Sequence, residues 1–263
     1  MYRLNSKVVG KGEPLLLIHG LGSASTVWKP IIPMLQENFS VVTIDLPGHG
    51  DTPLISGRAM DPHSFALYAL DEMAELGFDK FHLVGNSLGG WVSLEMASVA
   101  ADRIRSLTAL APAGLWLTPY NVRYPGTALA RFLARYTQKF APTALHFEAA
   151  RRLGFSEVSP RWREFSYETC LDAAAAMAKA DGYYPAWDGM LMKRFDGKIP
   201  EKVPVTIIFG DTDRTLPATT CQERSLAPSH AKWIIFANTG HAPMWDSPID
   251  VVAEIKRTAA LAQ

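Results

Sequence analysis

The sequence predicts an α/β protein built on a mostly parallel sheet with helices on both faces. Six apolar segments rich in Val, Ile and Leu recur along the chain, and helical patterns separate several of them. Continuous rather than alternating apolarity indicates strands buried on both faces. Strands alternating with helices indicate a doubly wound sheet. With 263 residues, of which 48% are hydrophobic, the chain is long enough to bury a full core.

The predicted strands are the six apolar segments, at residues 14–20, 40–48, 80–86, 105–114, 203–211 and 231–240. A helix is predicted over residues 61–77, where Asp61 is placed to cap the N-terminus and Pro62 occupies the first turn. Residues 247–262 repeat this arrangement, with Ser247 as the expected cap. Both helices fit the alternating pattern of the predicted fold.

One long region interrupts the alternation of strands and helices. No long apolar strand pattern occurs between about residues 115 and 200, which instead contain helix-like segments at 126–141, 143–154 and 161–180. A helical insertion between two parallel strands fits a cap over the carboxyl edge of the sheet, where α/β proteins bind ligands. The alternative is a peripheral helical layer. The predicted organisation is therefore a core from 1–114 and 201–263 with an inserted cap at 115–200.

Composition limits the partners and the location. Lys plus Arg equal Asp plus Glu at 26 each, so no charge imbalance favours nucleic acid or an anionic membrane, and a small neutral molecule fits better. The first ten residues lack a signal-peptide core and no stretch reaches a spanning length, so a cytoplasmic protein is expected. Cys170 and Cys221 lack the spacing of a zinc site and are interpreted as packing residues, with no metal expected.

A pentapeptide after the third predicted strand carries the first candidate for chemistry. Gly85-Asn86-Ser87-Leu88-Gly89 fits the pattern G-x-S-x-G, which is informative only between a strand and a helix. An apolar strand pattern precedes it and a helical pattern follows it. The competing interpretation is a glycine-rich turn with an incidental serine. The context favours Ser87 as a nucleophile held on a strained turn.

A serine nucleophile requires a histidine base and a carboxylate that orients the base. Of seven histidines, His241 follows the last predicted strand in a Gly-flanked loop, which places it at the same sheet edge as the serine. Two aspartates compete for the carboxylate. Asp213 stands further into its loop and is favoured, whereas Asp211 abuts the strand and fits a turn-stabilising role. Asp45 is a third candidate, although the order Ser, Asp, His favours the later loop.

The remaining expected parts are the oxyanion hole and the substrate pocket. Backbone N–H groups of Leu88, directly after the serine, and Leu21, in the turn "HGLGS", are the predicted oxyanion donors. A few of the aromatic residues are expected to line the pocket, although aromatics at helical spacing more often belong to a core. Trp116, Trp187 and Trp245 are the candidate substrate-binding residues.

Five segments in register give the chain a resemblance to the α/β-hydrolase superfamily. They are "LLLIHGLGS", "VVTIDLPGHG", "LVGNSLGG", "GDTDRTLP" and "TGHAPMWDSP". The family pattern GxxDxxxP aligns on Gly210, Asp213 and Pro217, which supports Asp213, and the pattern GHxP aligns on His241. The resemblance implies an α/β-hydrolase fold from about residue 13 onward and a serine-hydrolase site. Family members usually need no cofactor, and none is expected.

The relatives within this superfamily differ in reaction. Dehalogenases and epoxide hydrolases use an aspartate at the elbow, where this chain has Ser87. Hydrolases that cleave C–C bonds in ring-fission products resemble it at "NSLGG", but usually have a longer oxyanion loop and a tryptophan after the histidine, where this chain has Ala242. Cofactor-free haloperoxidases share a similar elbow. The prediction is hydrolysis of carboxylic esters with short to medium acyl chains, or lactones; the alternatives are a C–C hydrolase and a small-ligand receptor.

Overall fold

Seven strands form one sheet in the computed structural model, which describes residues 3–123 and 125–262. The sheet order is β1-β3-β2-β4-β5-β6-β7; β1 is antiparallel to β3 and every other neighbouring pair is parallel. The strands are β1 Asn5–Val9, β2 Glu13–Ile18, β3 Phe39–Asp45, β4 Phe81–Asn86, β5 Ile104–Leu110, β6 Val205–Gly210 and β7 Lys232–Phe236. The structure confirms the predicted mostly parallel α/β sheet.

All six predicted strands are present, and β1 is an additional strand that the apolar pattern did not indicate. Its residues are half-buried or exposed, since it lies at the edge of the sheet beside β3 alone. Such an edge strand has no need of a continuous apolar run. β5 ends at Leu110, earlier than predicted, because Ala111 adopts a positive φ of 42° and turns the chain.

Helices cover both faces of the sheet. Along β2, Leu16 and Ile18 face one core layer, while Leu15 and Leu17 face the other, and all four side chains are fully buried. Burying each such side chain contributes about 1.5–3 kcal/mol. The first layer contains Phe65 of one helix and Trp91 of another, whereas the second contains Val251 and Ile255 of the last helix. This arrangement is the predicted doubly wound sheet.

The helices are α1 Ile32–Leu35, α2 Pro62–Glu75, α3 Leu88–Val99, α4 Pro125–Thr137, α5 Ala141–Ala144, α6 Glu148–Phe155, α7 Tyr167–Lys179, α8 Tyr183–Met190, α9 Ala218–Cys221, α10 Pro243–Asp246 and α11 Pro248–Ala259. Asp61 caps α2 as predicted, accepting the Ser64 N–H at 3.2 Å. Ser247 does not cap α11 with its side chain, because its hydroxyl lies 3.0 Å from that of Thr239.

The segment between β5 and β6 is helical, as its sequence indicated. One predicted helix, at residues 143–154, is in fact two, because Phe147 adopts an extended backbone between α5 and α6. The segment has a small apolar cluster of its own, which includes Phe155, Phe165 and Cys170. Both cysteines are free and buried, in agreement with their interpretation as packing residues. Within the part of the chain that the structure describes, no helix is long and apolar enough to cross a bilayer.

Candidate active site

Ser87 lies at the sharp turn between β4 and α3. Its backbone has φ 56° and ψ −117°, an unfavourable conformation for a residue with a side chain. Three hydrogen bonds hold it there. The Ser87 N–H donates to the Leu110 carbonyl at 3.0 Å, and the Ser87 carbonyl accepts the N–H groups of Trp91 and Ala113 at 3.1 and 2.9 Å. The turn is therefore fixed by β5 and its loop as well as by α3.

The glycines around Ser87 permit close backbone contacts. A Cβ at Gly85 would lie 2.1 Å from the Gly89 carbonyl oxygen, and one at Gly89 would lie 2.1 Å from the Ile18 carbonyl oxygen. These contacts bring the start of α3 directly onto the end of β2. In the loop after β2, a Cβ at Gly20 would lie 3.1 Å from the Ser87 Cβ. The loop after β2 thus borders the serine.

His241 and Asp213 form a buried pair at the same sheet edge. His241 Nδ1 lies 2.9 Å from Asp213 Oδ2, and both residues are buried. Asp213 Oδ1 accepts the N–H groups of Thr215 and Leu216 at 2.9 and 2.8 Å, which fixes the carboxylate. A carboxylate at Nδ1 keeps the proton on that nitrogen and leaves Nε2 to act as a base.

The other two candidate aspartates have different partners. Asp211 is exposed, and its carboxylate accepts the Thr239 N–H at 3.3 Å, which ties its turn to the loop after β7. Asp45 accepts the N–H groups of Ser25 and Asp51 at 2.7 and 3.0 Å. Its contacts organise the loops after β2 and β3. Asp213 is the aspartate that the structure brings to His241.

Asn86 links the serine turn to the histidine loop. Its side-chain amide donates to the His241 carbonyl at 3.0 Å and to the Leu110 carbonyl at 3.1 Å. Asn86 immediately precedes Ser87, so the two loops are joined one residue from the serine. Sequence reasoning treated position 86 as a variable one in the pentapeptide and missed this role of Asn86. The signal in the sequence that could have indicated it is the place of Asn86 directly before the serine.

The candidate oxyanion donors lie on the two sides of Ser87. Leu88 is the first residue of α3, and an N–H in the first turn of a helix has no intrahelical acceptor. Leu21 follows Gly20 in a turn that the Ser23 N–H closes by donating to the Gly20 carbonyl at 3.2 Å. Leu88 thus directly follows the serine and Leu21 lies in the loop that borders it; their role as oxyanion donors stays a prediction.

His19 holds the loop that contains Leu21. Its Nδ1 lies 2.7 Å from the Gly20 carbonyl, and its Nε2 accepts the Leu46 N–H at 2.9 Å. Because a carbonyl only accepts and an N–H only donates, the ring is neutral with its proton on Nδ1. Burial lowers the pKa of His19, which favours this neutral form. The histidine thus connects the loops after β2 and β3.

The three candidate substrate-binding tryptophans lie in different surroundings. The Trp116 indole N–H donates to the Lys193 carbonyl at 2.7 Å. The Trp245 indole N–H donates to the Val27 carbonyl at 3.0 Å, and the ring borders a groove of about 550 Å³ whose lining residues do not include Ser87. Trp187 is half-buried, and its indole nitrogen has no hydrogen-bond partner in the described residues. A role of the three tryptophans in binding a substrate stays a prediction.

The helical segment touches the loops around the serine. The Gly182 N–H donates to the Gly48 carbonyl at 2.7 Å, which joins the start of α8 to the loop after β3. The His241 N–H donates to the Val158 carbonyl, also at 2.7 Å. Sequence reasoning missed both contacts, because backbone bonds between distant loops leave no pattern in the side chains.

Comparisons with known proteins identify the family of this chain. A family model described as "Alpha/beta hydrolase family" matches residues 15–255. The chain is 26% identical over 245 residues to the pimeloyl-[acyl-carrier protein] methyl ester esterase of Legionella pneumophila (strain Corby), which covers 89% of this chain and 90% of that protein.

Solved structures show the same fold at low identity. A thermophilic esterase from Thermogutta terrifontis has a TM-score of 0.67 and 20% identity, and the match covers 99% of this chain and 94% of that one. A meta-cleavage product hydrolase from Pseudomonas fluorescens IP01 has a TM-score of 0.71 and 19% identity, with 97% and 93% covered. Since the family model spans nearly the whole sheet and the residues at its carboxyl edge, this chain belongs to the alpha/beta hydrolase family.

Proposed function

We propose that this protein is a serine hydrolase that cleaves carboxylic esters through an acyl-enzyme on Ser87. The observation that carries the proposal is the buried pair of His241 and Asp213, 2.9 Å apart, in a loop that Asn86 bonds to the serine turn. The strained backbone of Ser87 adds a second indication, since such strain clusters at functional positions.

In the first half of the reaction, the Ser87 oxygen attacks the ester carbonyl carbon while His241 Nε2 takes the hydroxyl proton. The N–H groups of Leu88 and Leu21 donate to the oxygen that becomes negative in the tetrahedral intermediate. When the C–O bond to the alcohol breaks, His241 returns the proton to the leaving oxygen. Asp213 stabilises the imidazolium during both transfers and stays ionised.

In the second half, water attacks the acyl carbon of the ester on Ser87, and His241 accepts a proton from that water. Collapse of the second intermediate breaks the bond to Ser87, which recovers its proton from His241, and releases the acid. Each step uses the same base and the same oxyanion donors. Atoms and protons balance without any cofactor.

The similarity to one named esterase supports the ester class. The Legionella pneumophila protein, matched over about nine-tenths of both chains, is named as a methyl ester esterase. The short loop after β2, which reads "HGLGS", and the residue after His241, which is Ala242, favour ester cleavage over the C–C hydrolase chemistry named for the Pseudomonas structure. Carboxylic esters are therefore the proposed substrate class.

We assign residues 115–200 as a cap that encloses the acyl group. Bonds from the segment reach the loops after β3 and β7, and Ser87 is half-buried while His241 is 9% exposed. A small enclosed pocket binds an acyl chain more tightly with each buried methylene, by about 0.8 kcal/mol, until it is full. Short to medium acyl chains are the proposed optimum.

The nucleophile is tested by covalent labelling. A fluorophosphonate probe is expected to label the wild-type protein and to leave Ser87→Ala unlabelled, because only the activated hydroxyl attacks phosphorus. Ser98→Ala, on the same helix α3, is the matched control and is expected to label like the wild type. Full labelling of Ser87→Ala would overturn the assignment.

The substrate class is tested on the same preparation. The value of kcat/KM on p-nitrophenyl esters is expected to peak at short to medium acyl length and to fall for long chains, with or without detergent micelles. Negligible ester turnover with rapid cleavage of a ring-fission diene would establish the C–C hydrolase instead. A single slow turnover on every ester would indicate a ligand receptor.

A further inference from the structure

The backbone around His241 is held on both sides. Its N–H donates to the Val158 carbonyl at 2.7 Å, which belongs to the helical segment. Its carbonyl accepts from the Asn86 side chain at 3.0 Å, which belongs to the serine turn. The position of His241 therefore depends on the helical segment as well as on the sheet.

Asp246, five residues after His241, joins these elements with one buried carboxylate. Oδ2 accepts the Gly240 N–H at 2.7 Å, directly before the histidine. Oδ1 accepts the hydroxyl of Ser159, the residue after Val158. Asp246 and Ser159 are each 1% exposed. Burial raises the pKa of Asp246, although the bonds from Ser159 and Gly240 oppose that shift.

Arg161 adds one bond within the segment and one from the segment to Asp246. The Arg161 N–H donates to the Ser159 hydroxyl oxygen at 2.9 Å, and the Arg161 guanidinium donates to the Asp246 carbonyl. The loops also approach closely, because a Cβ at Gly240 would lie 2.2 Å from the Val158 carbonyl oxygen. With so little space between them, a displacement of residues 158–161 would move Gly240 and hence His241.

We propose that Ser159 and Asp246 are positioning residues through which the helical segment holds His241 in place against Ser87. The inference rests on the proposed function, since it assigns His241 as the base. It gives residues 158–161 a role beyond covering the pocket. Neither residue touches the reacting atoms; both act on the base through the backbone of Gly240 and His241.

The geometry explains why a hydroxyl and a carboxylate are used here. The Asp246 carboxylate has an oxygen for each of its two donors, so it satisfies the Gly240 N–H and the Ser159 hydroxyl at once. An unsatisfied buried donor would be costly, which keeps the two loops joined. Catalysis is sensitive to such placement, and a shift of 1 Å in a catalytic group can lower the rate about 10²-fold.

The test compares Asp246→Ala, Asp246→Asn and Ser159→Ala as full-length proteins on a p-nitrophenyl ester. Asp246→Ala is expected to lower kcat about 10- to 100-fold with KM within twofold, because the base is misplaced while the pocket remains. Asp246→Asn is expected to recover most of kcat, since its side-chain oxygen still accepts the Gly240 N–H. Ser159→Ala is expected to lower kcat by a smaller factor.

A spectroscopic readout separates positioning from general stability. The Nδ1 proton of His241, bonded to Asp213, should give a downfield NMR signal in the wild type. We expect that signal to broaden or shift in Ser159→Ala and to return in Asp246→Asn. Ser106→Ala and Glu254→Ala are matched controls, because Ser106 bonds His82 and Glu254 bonds Lys232, and both are buried. The controls are expected to keep the signal and kcat.

The outcomes distinguish the two proposals. If the wild type neither turns over esters nor labels at Ser87, the proposed function itself fails. If the wild type is active and Ser159→Ala retains the wild-type kcat and His241 signal, the positioning role is overturned. If Asp246→Ala does not fold, Ser159→Ala still decides, since a structural role alone would leave the wild-type kcat and the wild-type His241 signal in that variant.

Discussion

At the scale of single residues, two aspartates in one loop show how the backbone assigns different roles to the same side chain. Asp211 directly follows β6, is exposed, and bonds the Thr239 N–H. Asp213 is two residues further on, is buried, and bonds His241. The turn between them points one carboxylate toward solvent and the other toward the histidine.

The difference predicts the effect of substituting each aspartate. We expect Asp213→Asn to lower kcat about 10⁴-fold, because the amide favours the wrong histidine tautomer and does not stabilise the imidazolium. Asp211→Asn should leave kcat within a few-fold and act on stability. Steady-state kinetics on a p-nitrophenyl ester compare the two variants. The opposite ranking would show that Asp211 carries the triad role.

Sequence reasoning named the candidate residues that motifs mark. Ser87, Asp213 and His241 each follow a predicted strand in a Gly-containing loop, so spacing indicated them. Asp246 and Ser159 carry no such mark. The hydrogen bond between them joins positions 87 residues apart. It depends on how the helical segment packs against the loop after β7, and a local sequence pattern carries no information on that packing.

At the scale of secondary structure, the strand-turn-helix around the serine depends on contact between backbones. α3 starts on the end of β2, with Gly89 against the carbonyls of Ile18 and His19. The six predicted strands followed from their continuous apolarity. β1 was missed because it lies half-exposed at an edge, and the split between α5 and α6 was missed because the extended backbone of Phe147 leaves the apolar spacing unchanged.

The packing of α3 on β2 gives a second prediction. We expect Gly89→Ala to lower the free energy of unfolding by about 1–3 kcal/mol, because its Cβ would lie 2.1 Å from the Ile18 carbonyl oxygen. Gly154→Ala in α6 is the control. Its Cβ would meet nothing within 4 Å, so the protein should gain roughly 0.5–1 kcal/mol. Denaturant unfolding measures both, and equal stabilities would contradict the packing argument.

At the scale of the whole molecule, the site exists only where several loops meet at the carboxyl edge of the sheet. Leu21, Ser87, Asp213 and His241 follow β2, β4, β6 and β7 in turn. The loop after β3 contributes a buried histidine and none of the residues proposed for catalysis. His49 Nδ1 lies 2.9 Å from the Pro47 carbonyl, and its Nε2 has no hydrogen-bond partner in the described residues. The folded protein therefore holds His49 neutral.

The buried His49 makes stability depend on pH. Burial lowers the pKa of His49 to about 3, whereas an unfolded histidine titrates near 6.5. Between these values the unfolded chain binds a proton that the native protein does not, so stability rises with pH and is lost as pH falls from about 6.5 toward 3. One such group contributes at most about 1.4 kcal/mol per pH unit. We expect His49→Asn, whose amide can still donate to Pro47, to flatten the dependence of the unfolding free energy on pH between pH 6.5 and 4.5. His63→Asn is the control, and because His63 is exposed this variant should keep the wild-type dependence. Identical slopes in the wild type and both variants would refute a neutral, buried His49.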